Sequence, residues 1–324
     1  MKAIRFLRTI VMVMAVILSG MGESLAAEKK FPTKPIEVIC PFPPGGTDVM
    51  TRPFVEKLPA YLGQPVTYVY KPGAAGFLGT DYVAHAKPDG YTLLVASISP
   101  IVIVPLSHPG GYTWKSFEPI GCFPAAPFTL SVRSDSRWKN LQEFVEEARK
   151  NPGKITYTGA GTLGIAQFAA EAFFKEAGIN LTYIPSLGTG PAVSAILGGH
   201  VDITCVSAEG PYPHVKAGTM RVLAVLAEKR FKILPDVPTA SEFGYPAVIV
   251  NVNGLLAPKG TPKEIVETIY QALKKIWEDQ HASIQERFDK LCAEADLKNS
   301  EEYVAIIKDS DVFYSNMFKQ LTKK

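Results

Sequence analysis

The sequence predicts an α/β fold in two lobes with a ligand cleft between them. Short apolar strands alternate with helices along most of the chain, which indicates parallel α/β sheets. The strand ends run into turns rich in Gly, Ser and Thr and almost free of charge, the place where open α/β sheets hold ligands. After a leader ending at Ala26, 298 of the 324 residues remain, more than one ordinary core accommodates.

The leader comes first. Lys2, Arg5 and Arg8 precede an unbroken apolar run from Ile10 to Leu18, and Ser24-Leu25-Ala26 is a small-x-small step. That pattern is a secretory signal peptide, since a membrane span needs about 20 apolar residues and this run is too short. No cysteine lies near the cleavage point, so no lipid attachment is expected there. Three of the 34 Lys+Arg and one of the 31 Asp+Glu fall in the leader, which leaves the mature chain close to a net charge of +1. Without a long basic run, nucleic acid and anionic membrane are not expected partners.

The first βα unit is Ile36–Phe42, the turn Pro43-Pro44-Gly45-Gly46-Thr47-Asp48 and a helix from Val49. Val66–Tyr70 leads through Lys71-Pro72-Gly73-Ala74-Ala75-Gly76 to a helix around Gly79–His85, and Tyr91–Ala96 ends in Ser97-Ile98-Ser99. Ile155–Thr158 leads through Gly159-Ala160-Gly161-Thr162-Leu163-Gly164 to a helix over Ile165–Ala177. Leu181–Ile184 leads through Ser186-Leu187-Gly188-Thr189-Gly190 to a helix from Pro191, and Val201–Val206 ends at Ser207. Near the C-terminus, Thr261-Pro262-Lys263-Glu264 predicts a Thr-capped helix to about Asp279, and Ser300-Glu301-Glu302 predicts another to about Leu321. The expected division is a signal peptide over 1–26, a first lobe over 27–124, a second over 125–248 and a return to the first over 249–324. The crossings are expected within Pro119–Thr129 and Ala247–Leu256.

The turns suggest the chemistry. Glycine lets backbone N–H groups approach a ligand closely, and a helix start presents unpaired N–H groups with partial positive charge. Several such turns on one cleft make an anion site without Arg or Lys. Gly159 to Gly164 formally fits the dinucleotide fingerprint. The ribose-binding acid is missing, however, because Asn180 and Leu181 stand near its place, and no cofactor is expected. Asp48 and Arg52 are spaced to pair along one helix face. No G-x-S-x-G or H-E-x-x-H motif occurs, the five histidines (His85, His108, His200, His214, His281) are scattered, and neither catalytic nor metal-binding residues are expected. Glu209, just past a strand end, reads as a solvated loop acid, with contact to a ligand ammonium as the alternative. Cys40, Cys122, Cys205 and Cys292 fit no redox or zinc spacing and read as buried free thiols.

Taken in order, these turns resemble the substrate-binding proteins of tripartite tricarboxylate transporters, the TctC or Bug-type family. The resemblance also rests on Asp89-Gly90-Tyr91-Thr92-Leu93-Leu94, Asn151-Pro152-Gly153-Lys154, Leu197-Gly198-Gly199-His200-Val201-Asp202, Lys216-Ala217-Gly218 and Leu234-Pro235-Asp236-Val237-Pro238-Thr239. It implies a periplasmic binding protein fold of type II with two crossover strands, and a monomer that closes on a small carboxylate. It further implies delivery to the large and small membrane subunits of a permease. The contact loops it implies hold Pro43, Gly45, Gly46, Thr47 and Asp48; Ser97 and Ser99; Gly161, Thr162 and Gly164; Gly188, Thr189 and Gly190; and Ser207. Three places depart from the family pattern: Gln167 stands where a His is common, Ser186-Leu187 where Tyr-Lys is common, and Ile98 to Ile101 where polar residues and a His are usual. These changes predict a less polar cleft wall and a ligand with an apolar or aromatic body rather than citrate. Two other readings are a component presenting ligand to a periplasmic sensor and an exported enzyme on a similar fold.

Overall fold

A computed structural model describes residues 30–322 except 125, 163, 250, 292, 294 and 295. The expected leader and Cys292 lie outside the described residues. The first sheet receives β1 (Ile36–Cys40), β2 (Val66–Tyr70), β3 (Thr92–Ser97) and β4 (Phe117–Pro124), and the second receives β5 (Phe128–Arg133), β6 (Thr156–Thr158), β7 (Thr182–Tyr183), β8 (Ile203–Ser207) and β9 (Met220–Val225). The chain then returns β10 (Val252–Pro258) to the first sheet.

The two sheets share one plan. Their strand orders are β2-β1-β3-β10-β4 and β7-β6-β8-β5-β9. Three parallel strands in each are followed by one that runs against them, β10 beside β3 and β5 beside β8. The sheets are therefore mixed, which βα alternation alone did not predict: β5 and β10 each enter a sheet straight from the other lobe, without a crossover helix to set them parallel. Strands β8 and β10 are buried at every position. A continuous apolar run of this kind belongs to a sheet covered on both faces.

Helices α1 (Gly46–Val55) and α2 (Phe77–Ala84) serve the first sheet, and α3 (Leu141–Lys150), α4 (Ile165–Ala177) and α5 (Thr189–Leu197) the second. The last two are α6 (Lys263–Asp289) and α7 (Ser300–Thr322). Helix α6 runs ten residues beyond the expected end, because the stripe Ile269, Leu273 and Ile276 continues through Ile284 and Phe288 on the buried face. Thr261 does not cap it: its hydroxyl donates to the Pro258 carbonyl at 2.7 Å, and Pro262 takes the cap position.

Helix α7 touches both lobes. Its first residue donates from Ser300 Oγ to the Pro119 carbonyl at 2.6 Å, and Trp114 Nε1 donates to Asp311 at 3.0 Å. Farther along, Tyr314 meets Phe168 of α4 edge-on with ring centroids 5.5 Å apart. Tyr303 lies so close over β10 that a Cβ at Gly254 would fall 2.2 Å from its ring, which only glycine avoids. Cys40, Cys122 and Cys205 are buried free thiols.

Candidate functional site

The loops at the strand ends of both lobes enclose one cleft with two connected parts. The inner part, about 340 Å3, lies between Gly45–Thr47 of the first lobe and Ile165, Thr189 and Ser207 of the second, with Asn251 and Asn253 at its base. The outer part, about 710 Å3 and lined by none of Phe128, Asn251 and Asn253, lies between the loop 72–76 and Gly161, Thr162 and Leu187. Phe42, Pro43, Ser99, Ala160, Gly164 and Leu187 line both.

Three helices begin at the inner part. Helices α1, α4 and α5 take Gly45, Gly164 and Gly188 as N-caps, and none has a side-chain cap hydrogen bond. The first intrahelical bonds run from Val49, Phe168 and Ala192 back to these glycines. The N–H groups of Gly46, Thr47, Ile165, Ala166, Thr189 and Gly190 thus lie ahead of the hydrogen-bonded ladder, and all six residues line the inner part. Among the described residues, no Lys, Arg or His lines it. The positive ends of three helix dipoles, from both lobes, supply its attraction for an anion.

Of the residues expected to meet ligand, Pro43, Gly45, Gly46, Thr47, Ser97, Ser99, Gly164, Thr189, Gly190 and Ser207 line the inner part, and Gly161 and Thr162 the outer. Asp48 and Gly188 line neither. Asp48 turns inward instead, where its carboxylate accepts from Arg52 Nε at 2.8 Å while that guanidinium also reaches the Tyr70 hydroxyl. Ser207 Oγ donates to the Ala126 carbonyl at 2.9 Å, and Asn251 Nδ2 donates to the same carbonyl at 2.9 Å. The hydroxyl thereby ties the segment between β4 and β5 to the segment before β10. In the outer part, Ser107 Oγ lies 3.0 Å from both the Val104 carbonyl and His108 Nδ1.

Glu209 corrects the sequence reading. It lines the inner part, and its Oε2 is buried with no hydrogen-bond partner among the described residues. Burial raises its carboxyl pKa above the ordinary carboxylate range, and contacts with Ser207 and its own N–H offset this only in part. Phe42, Met50, Phe128, Asn251 and Asn253 also line the cavity without having been singled out. The asparagines precede or begin β10, where the chain enters from the other lobe, and no local pattern marks such a position as facing a cleft.

The sequence profile of the tripartite tricarboxylate transporter family receptors (TctC) matches residues 50–321. Protein BugT of Bordetella pertussis is 34% identical over 253 residues, 76% of this chain and 77% of that one. The chain belongs to the TctC family. The solved structure of periplasmic binding protein BugD superposes with a TM-score of 0.76 at 33% identity, covering 90% of this chain and 98% of the other. MatC of Rhodopseudomonas palustris, solved with bound malate, gives a TM-score of 0.78 at 27% identity and covers 88% and 99% of the two chains. Another R. palustris protein, solved with adipate, gives 0.78 at 25% identity and covers 89% and 97%. The architecture is thus the two-lobed periplasmic binding fold of type II that the resemblance implied.

Within the TctC frame, the three departures separate. Leu187 is fully exposed and lines both parts of the cleft. Ile98 and Ile101 are fully buried instead, because the backbone turns into a helical conformation straight after β3 and carries them into the core. Gln167 is not among the lining residues. The apolar surface of the inner part comes from Phe42, Met50, Phe128 and Ile165 together with Leu187.

Proposed function

We propose that this TctC-family protein captures a small carboxylate with an apolar or aromatic body in the cleft and hands it to the large and small membrane subunits of a tripartite transporter. One observation carries the reading: three glycine-capped helix starts, from both lobes, meet at a cavity that no lysine, arginine or histidine among the described residues lines. A carboxylate satisfies such N–H groups, and the apolar side chains around them suit a hydrocarbon body. The malate- and adipate-bound relatives support the carboxylate part. The protein acts in the periplasm as a monomer after cleavage near Ala26, and it performs no catalytic step. Its lobes, divided near residues 124 and 248, hinge where Asn251 and Ser207 meet the Ala126 carbonyl.

A thermal-shift screen of citrate, short dicarboxylates and aryl or alkyl carboxylates tests this reading. Apolar acids are expected to stabilise the protein more than citrate does. Stabilisation by citrate alone would overturn the apolar body, and stabilisation by none of these acids would overturn carboxylate capture.

A further inference from the structure

The inner part of the cleft carries both donors and an acceptor. The N–H groups of Gly46, Thr47, Ile165, Ala166, Thr189 and Gly190 are all donors. Glu209 is the one ionisable side chain among the described residues lining that part. Its position is fixed by the fold. Glu209 follows the end of β8, and the next residue is pressed against the start of α5, where a Cβ on Gly210 would fall 2.4 Å from Thr189 Cγ2. The acid therefore shares a corner with a helix start, yet its Oε2 meets no N–H or hydroxyl among the described residues.

A buried carboxylate oxygen without a donor is a strong demand on whatever fills the cavity. A second carboxylate on the ligand would meet Glu209 as a like charge. A cationic nitrogen would give the oxygen its missing donor and let the acid ionise inside the closed site. We propose that Glu209 selects, among small carboxylates, those that also carry a cationic nitrogen, an ammonium or a protonated ring nitrogen, seated against its Oε2. This rests on the carboxylate reading above and adds the other end of the ligand to it.

Matched pairs of probes test the assignment: free phenylalanine against phenylpropanoate, glutamate against glutarate, and γ-aminobutyrate against butyrate. Each is titrated by calorimetry into the wild-type protein and into Glu209→Gln. In at least one pair the nitrogen-bearing member is expected to bind at least about tenfold more tightly to the wild type, and E209Q is expected to erase that preference while keeping the plain acid. Plain acids that bind as well as or better than their partners would overturn the proposal and leave carboxylate capture standing. A preference that survives in E209Q would also overturn it. If neither member of any pair binds, carboxylate capture falls and this inference with it. The wild-type comparison decides the matter even if E209Q fails to fold.

Discussion

At the outer surface, α3 and α7 begin on asparagines. Asn140 and Asn299 accept from the backbone N–H of Glu143 at 2.9 Å and of Glu302 at 3.0 Å, and those glutamates reach back to the N–H of Lys139 and Asn299, each at 2.7 to 2.8 Å. At the cleft, α1, α4 and α5 begin on Gly45, Gly164 and Gly188 with no side-chain cap. A good side-chain cap stabilises a helix by about 1 kcal/mol over alanine and by only about a few tenths of a kcal/mol over glycine. The glycine-capped cleft helices forgo that small difference three times over, and the donors left unpaired are the ones a ligand can use. The starts of α3 and α7, away from the cleft, are closed, and those of α1, α4 and α5, at the cleft, are open.

The largest test of that contrast is Gly46→Trp. A Cβ at Gly46, a residue lining the inner part, meets nothing within 4 Å, so the backbone admits a side chain there and an indole is expected to occupy the cavity. Calorimetry should show binding of any acid that stabilises the wild type abolished, with the circular dichroism spectrum unchanged. Gly161, also at the cleft, is a poorer choice, because its φ of 80° strains any other residue.

A subtler exchange is Gly188→Asp, which converts an open start into a closed one. Gly45 and Gly164 cannot accept it: the first holds φ at 143°, and a Cβ on the second would fall 2.6 Å from the Ala160 carbonyl. Gly188 is extended, with open space around it. Asp there should raise stability by about 0.5–1 kcal/mol and weaken acid binding by about tenfold, read by denaturant unfolding and calorimetry. Asn140→Ala should do the opposite to stability, at a cost of about 1 kcal/mol, with no change in binding.

The smallest effect is a slope with pH. The folded state holds the Glu209 proton above the ordinary carboxyl range, so between that range and the raised pKa it binds more protons than the unfolded chain. The contribution of this group to stability is therefore present in mild acid and lost as pH rises through the folded pKa. Melting curves of Glu209→Gln should lack that part of the decline, with the variant gaining on the wild type as pH rises.

Much of this organisation was legible in the sequence. Strand–turn–helix units are local, and the turns at Gly45, Gly161 and Gly188 announce themselves by composition; twelve of the expected contact residues line the cleft. What was not legible depends on orientation. Asp48 lies one residue beyond Thr47, yet the helix turns it away from the cavity toward Arg52. Ile98 follows a cleft-lining serine, but the switch from strand to helical backbone sends it into the core. Glu209 resembles a loop acid until β8 and α5 are packed around it. Phe128 and Asn253 enter from strands that belong to the crossing between lobes, and sequence spacing contains nothing about which lobe a strand will join.

Helix α7 gives the cleft a mechanical counterpart outside its lining. It is rooted in the first lobe by Ser300 and Asp311, and it leans on the second through Tyr314 against Phe168. Phe168 lies on α4, whose N-terminus faces the inner cavity. Any swing of one lobe against the other must slide that aromatic contact, as a stay limits the travel of a door. The start of α4 at the cleft and the Phe168 ring of the buried Tyr314–Phe168 contact thus belong to one helix.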